Sequence, residues 1–251
     1  MTEKTQKVLD KCLQITGSFE GAGWGGVTGN FDGQGLSAFI MQWNLGQRTL
    51  QPLLIKMEES NPELFRKCFS NVELVRLMAA VRSGNRDMEQ EFVNHVTTGR
   101  EESHPGRPFP TGYRYVKGEW REAFQAVGTL FKEHQREAAM SYFNAAMDWC
   151  LKFEMRSERA VAFMFDQCIQ RGKHSLNDEY RDYLNDFNAI TRMTDHIKMR
   201  IILEDDLPDF SERWREDVKS RRLCIIEGRG RVHNRDRDLE ADYGLSDEVV
   251  L

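Results

Sequence analysis

Nine glycines fall between positions 17 and 46 (17, 21, 23, 25, 26, 29, 33, 35 and 46), a density that excludes a helix and demands turns and short strands. Within this stretch, residues 27–31 and 35–43 carry the β-branched and aromatic side chains of strands. Asp32-Gly33-Gln34 between them has turn chemistry, so a small hairpin is expected. On both sides of the stretch the apolar residues recur three and four apart. Residues 4–15 place Val8, Leu9, Cys12, Leu13 and Ile15 on one helical face, and that helix should end at Gly17.

After Gln47 the helical period returns. Residues 49–58, 62–69, 72–81 and 88–96 read as successive helices, with Asn61-Pro62 and Ser70-Asn71 marking boundaries. Residues 97–118 carry Pro105, Pro108 and Pro110 among glycines and read as a long loop. Beyond it, residues 120–132, 133–153, 158–171, 178–199 and 210–226 are helical by the same criterion, and 227–251 is a charged, glycine-containing segment expected to wrap the surface. The expected fold is mainly α, an α+β arrangement of two helical lobes (1–100 and 117–251) around a cleft, with one small N-terminal β-hairpin in a single catalytic domain of 251 residues.

Composition narrows the function. Forty acidic against 35 basic residues leave a net charge of −5, which argues against a nucleic-acid binder, whose footprint is a basic surplus. Five cysteines (Cys12, Cys68, Cys150, Cys168, Cys224) show no CxxC pair, the usage of a reducing compartment, and each reads as a small apolar residue. The N-terminal residues form a charged amphipathic pattern rather than a basic segment followed by an apolar one, and no apolar run is long enough to span a bilayer. The chain is therefore expected to be made in the cytoplasm without a signal peptide and without membrane insertion.

Two carboxylates stand out. Glu20 follows the first helix directly after Phe19, whose ring could desolvate it, and Asp32 sits in the glycine-rich turn, where a ligand and a water have room to approach. Glycoside hydrolysis needs such a pair, one acid protonated and one ionised. The plainer alternative is a loop carboxylate at Glu20 and an aspartate making its own turn at Asp32.

The runs Ile15-Thr16-Gly17-Ser18-Phe19-Glu20, Gly29-Asn30-Phe31-Asp32-Gly33-Gln34-Gly35-Leu36-Ser37 and Gln42-Trp43-Asn44 resemble the N-terminal signature of chitosanase-like members of the lysozyme superfamily. There, a glutamate closing a helix precedes a D-G-x-G-x-[TS] hairpin. The resemblance implies Glu20 as general acid, Asp32 as general base and Ser37 as the hydroxyl that helps hold the attacking water, in an inverting mechanism without metal or cofactor. Asn30, Gln42, Trp43 and Asn44 become candidate sugar contacts, with Trp43 as core and the amides as hairpin closers as the alternative. Residues 165–172 are similar to the family's aromatic-Asp helix, which places Asp166 in a buried charge network with Arg221 or Arg222. The glutamate-to-aspartate spacing of 12 is shorter than in chitosanases, and Gln34 stands where they carry arginine. Residues 42–54 look more like bacterial and phage lysozyme-type domains. The expected substrate is therefore the peptidoglycan glycan strand, cut outside the cytoplasm by an endolysin or antibacterial effector, with a possible immunity protein or secretion-apparatus carrier as partner. A chitosanase and a catalytically silent wall-binding module are the alternatives.

Other patterns carry less. Gly21-Ala22-Gly23-Trp24-Gly25-Gly26 matches G-x-G-x-x-G but follows a helix, the reverse of a dinucleotide site. Asn234, Asp236, Asp238 and Glu240 alternate like a calcium loop without its glycine or closing glutamate and read as a solvated tail. Arg213, Arg215, Lys219, Arg221 and Arg222, interleaved with Glu212, Glu216 and Asp217, read as an ion-paired helix face. No Walker A sequence, no H-E-x-x-H and no paired Cys/His spacing occurs, so no metal is expected.

Overall fold

The computed structural model describes residues 2–21, 23–30, 32–99, 109, 115–189 and 193–251. Phe31, Pro105, Pro108, Pro110 and residues 190–192, which figured in the expectations above, lie outside the described residues. The architecture is mainly helical, as the apolar period predicts. Helix α1 (Glu3–Phe19) runs two residues past its expected glycine stop because its apolar stripe continues through Ile15 and Thr16 to the buried Phe19. The glycine-rich stretch forms a three-stranded antiparallel sheet rather than a hairpin: β1 (Val27–Thr28), β2 (Ser37–Ala38) and β3 (Trp43–Asn44), in that order.

Helices α2 (Leu50–Ser60), α3 (Pro62–Arg66), α4 (Asn71–Ser83) and α5 (Arg86–Val96) follow. Asn61 caps α3 through Leu64 N–H, and Ser70 and Glu73 form a reciprocal capping box on α4, so these starts are local sequence decisions. Strands β4 (Thr97–Thr98) and β5 (Tyr115–Val116) pair antiparallel and lead to α6 (Gly118–Leu130) and α7 (Lys132–Lys152). Helix α8 (Glu158–Arg171) matches the expected span, set by the Ser157 cap and by Gly172 at φ 97°. The expected helix over 178–199 is instead two helices, α9 (Tyr180–Ala189) and α10 (Asp195–Asp206), the second capped by Thr194. Helix α11 (Glu212–Glu227) ends at Gly228 in the left-handed region. The terminal segment folds rather than wrapping loosely. Strands β6 (Arg229–Val232) and β7 (Arg235–Asp238) form a hairpin across His233 and Asn234, both at positive φ, followed by α12 (Leu239–Tyr243).

The chain divides into two compact units, one of residues 1–19 and 139–251, the other of 20–138. The lobes suggested by the sequence are composed differently: α1 belongs with the C-terminal helices, and the division falls inside α7. In the first unit α8 is buried continuously from Glu158 to Cys168 and packs against α1, α10 and α11. The buried charges on and around it are paired. Glu158 meets Lys11 Nζ at 2.7 Å, Asp166 accepts from Arg221 at 2.8 Å, and Asp206 accepts from Arg222. Arg221 and Arg222 are thus ion-paired, as the interleaved charges suggested, but buried rather than on an open helix face. In the second unit, Phe65, Phe69, Phe92, Trp120 and Phe124 form a cluster of edge-on and tilted rings. All five cysteines are free thiols, four buried and Cys68 half-buried.

Candidate active site

The second unit contains most of the residues singled out in the sequence. Glu20 follows α1 directly and is half-buried. Asp32 lies in the connection between β1 and β2, half-buried, where its Oδ1 accepts from Gln34 N–H at 3.0 Å. This Asx turn fixes the carboxylate relative to its own backbone. Asn30, fully buried, accepts from Gly35 N–H through Oδ1 at 2.9 Å and closes the same turn.

Gly35 has no substitute here. Its φ is +81°, and a Cβ would stand 2.6 Å from the Phe109 ring. Phe109 N–H in turn donates to the Gly33 carbonyl at 3.0 Å, so the turn is backed by a residue 77 positions from Asp32 in sequence (109 minus 32).

Ser37 occupies the middle strand, opposite Thr28 on one side and Asn44 on the other, and is 7% exposed. Gln42 adopts φ 52°; its Nε2 donates to the Phe39 carbonyl at 2.9 Å and its Oε1 accepts from Thr28 Oγ1 at 2.7 Å. Trp43 is 6% exposed. Asn44 Oδ1 accepts from Gln47 N–H at 2.7 Å, and its own N–H donates to Thr49 Oγ1 at 2.9 Å. The contacts seen for Gln42, Trp43 and Asn44 are therefore those of a core indole and two loop-closing amides.

Asp166 and Arg222 fall in the first unit. Of the two partners expected for Asp166, Arg221 is the one it bonds. Arg222 bonds Asp206 and sits 5.2 Å from the Phe210 ring.

A supporting cluster was not visible in the sequence. Glu89 is fully buried and receives Gln51 Nε2 at 2.7 Å and Arg86 Nη1 at 3.0 Å, with Arg48 Nη1 at 3.6 Å. Arg86 also donates to the Leu45 and Gly46 carbonyls at 2.9 and 2.7 Å and lies over the Phe109 ring at 5.4 Å. Gly46 N–H donates to the Gln34 carbonyl at 2.8 Å, and the Gln34 amide oxygen is buried against Gly46. One guanidinium therefore ties the segment after β3 and Phe109 to both residues that follow Asp32. The only sequence signal is the three-residue spacing of Arg86 and Glu89, which surface pairs share.

Among the described residues no group of three or more histidine, cysteine or acidic side chains could hold a metal ion, and no helix is long and apolar enough to cross a membrane.

No protein-family profile matches the chain, and no curated protein matches it in sequence. Two solved structures do match. One is a mutant chitosanase from Bacillus subtilis MY002 complexed with 6 GlcN, at TM-score 0.58 and 13% identity. The other is the native chitosanase of that organism, at TM-score 0.52 and 16% identity. Each alignment covers 95% of this chain and 97% of the other. The chain has the mainly helical chitosanase-like fold.

Proposed function

We propose that the protein is a glycoside hydrolase acting on an amino-sugar polymer, with Glu20 as the proton donor to the leaving oxygen and Asp32 as the base that activates water. The observation that carries this reading is the occurrence of both carboxylates in one compact unit, at a helix end and in an anchored glycine-rich turn, within a chain of chitosanase-like fold. Gly33 and Gly35 beside Asp32 are buried and hold its turn against Phe109, while Asp32 itself is half-buried. Ser37, on the middle strand that follows the Asp32 turn, is assigned to holding that water. In an inverting enzyme the two carboxyls stand on the order of 6.5 to 9.5 Å apart, leaving space for the water between base and anomeric carbon.

Peptidoglycan is the substrate we assign, on the strength of Gln34 at the position where chitosanases carry arginine and of the lysozyme-like 42–54 segment. Chitosan is the second reading. It is favoured by the structural neighbour bound to 6 GlcN and by the net charge of −5, which complements a cationic polymer. Side-by-side digestion of purified sacculi and of chitosan, with products identified by mass spectrometry, decides. Soluble muropeptides with free reducing ends and no chitosan fragments support the wall reading; chitosan fragments alone replace it with the second. An anhydro sugar product would contradict hydrolysis altogether.

A further inference from the structure

The glycine run that cannot serve a dinucleotide forms one wall of a pocket of about 420 Å³ within the second unit, a size ordinary for small-molecule sites. Arg121, Gln125 and Thr129, four apart along α6, and Lys132 at the start of α7 form the opposite wall. Backbone lies against backbone beneath them. A Cβ on Gly25 would stand 2.4 Å from Gln125 Cα, and one on Gly128 would stand 2.1 Å from the Trp24 carbonyl oxygen. The buried Gln135 side chain joins both walls to the segment after β2: its Nε2 donates to the Trp24 and Gly128 carbonyls at 3.0 and 2.9 Å, and its Oε1 accepts from Ile40 N–H at 3.3 Å. The pocket is therefore built into the packing of α6 against the glycine run.

Among the described residues the lining holds two cations and no carboxylate, in a chain whose net charge is −5. Arg121 is exposed and commits Nη2 to the Val116 carbonyl at 3.1 Å, which leaves most of its five N–H donors for a ligand. Lys132 is half-buried, with Nζ 5.7 Å from the centre of the Trp24 ring. Neither is ion-paired to another described residue. Arg136, 5.0 Å from the same indole, is already paired with Glu133. Two cations without a counter-charge select an anionic group. Gly21 of the lining is peptide-bonded to Glu20, which places the pocket one residue from the assigned proton donor.

Resting on the hydrolase reading above, we propose that this pocket reads the peptide stem carried by the glycan, with Arg121 and Lys132 receiving a free carboxylate of the stem. The lactyl carboxyl of the muramic acid unit is consumed in its amide link to the stem, so the sugar offers no anion. The stem does: a glutamate joined through its γ-carboxyl keeps its α-carboxylate, and the stem's last residue keeps its own. A charge-assisted hydrogen bond from a guanidinium or ammonium distinguishes such a carboxylate from its amide, and the same cations repel the ammonium groups of chitosan.

The test is titration of the 15N-labelled full chain with three probes: N-acetylmuramyl-L-alanyl-γ-D-glutamyl-L-lysine, the same compound with every carboxylate converted to its amide, and inorganic phosphate. Binding is read at the amides of Gly21, Gly23, Gly25 and Gly26. The acid compound should shift these amides and bind at least about tenfold more tightly than the amidated one or phosphate, the worth of one charge-assisted hydrogen bond. Lys132→Gln should weaken the acid compound by about tenfold and leave the amidated one unchanged. Gly23→Leu is the second variant, since a Cβ there meets open space and the longer side chain obstructs the pocket. It should weaken the acid compound as well. Equal binding of the acid and amidated compounds, phosphate as good as the acid compound, or indifference to both variants overturns the proposal. The probes contain no bond between sugars, so the titration is independent of turnover. Lack of discrimination with muropeptide release from sacculi leaves the hydrolase reading standing; discrimination without release removes the hydrolase reading alone.

Discussion

Replacing Arg86 by methionine keeps most of the stem that lies over Phe109 and removes the guanidinium that makes hydrogen bonds to Glu89 and to the Leu45 and Gly46 carbonyls. Three charge-assisted bonds at a net worth of about 1.5 kcal/mol each would give roughly 4.5 kcal/mol. Two features lower that figure. The Arg86 side chain is 36% exposed, so water replaces part of what is lost, and Glu89 retains Gln51 at 2.7 Å. A loss of about 2 kcal/mol remains, equivalent to a melting temperature lower by about 4 to 8 °C in a chain of this size. Arg86→Lys keeps the charge but cannot span two carbonyls and a carboxylate at once, so it should fall between parent and Arg86→Met. Chemical denaturation measures the stability, and amide exchange at Gly46 and Phe109, whose N–H groups bond Gln34 and Gly33, reads the local effect. Glycosidic activity should fall further than stability, because the Asp32 turn loses its backing. A variant within about 0.5 kcal/mol of the parent, with exchange at both amides unchanged, refutes the idea that this guanidinium holds the turn.

Three further outcomes are expected. Gly35→Ala should destabilise the second unit by about 1 to 3 kcal/mol, measured by denaturation, since it meets both the positive φ and the Phe109 ring. Asp166→Leu should cost about 3 kcal/mol or more, because Arg221 stays buried without this carboxylate, and the double variant with Arg221→Leu should recover part of it in a thermal melt. Burial pushes the thiols of Cys224 and Cys168 up to about 11 and about 12, and those of Cys12 and Cys150 upward as well, whereas Cys68 is raised but only half-buried. At pH 8 all five are therefore almost entirely protonated, and brief iodoacetamide treatment should label Cys68 first in the native chain and all five after unfolding, as peptide mapping would record.

Helices were legible where the apolar period met a cap. Helix α8 was read to the residue because Ser157 and Gly172 bracket it, whereas α9 and α10 merged because the period alone does not register the cap at Thr194. Strand β3 escaped because the β2–β3 turn places Phe39 and Gln42 at positive φ, and neither carries the glycine or asparagine signal by which such turns are recognised. The C-terminal hairpin turns on His233-Asn234, a pair with only half the usual signal. At the candidate site, the Asp32 turn could be read locally from aspartate followed by glycine. The Arg86–Glu89 clamp could not, because nothing near Glu89 in sequence announces its complete burial. The burial of Arg221 and Arg222 is invisible in the sequence for the same reason: only the resemblance pointed to them as partners of Asp166, and a charge between charges looks exposed until the packing around α8 is known.

The central claim is that Glu20 donates the proton and Asp32 activates the water. Reducing-end release from sacculi by the parent, Glu20→Gln and Asp32→Asn proteins, with polymer binding measured in parallel, tests it most directly. Release should fall by about a hundredfold or more in each variant while binding stays within about twofold; release at the parental rate in either one contradicts it.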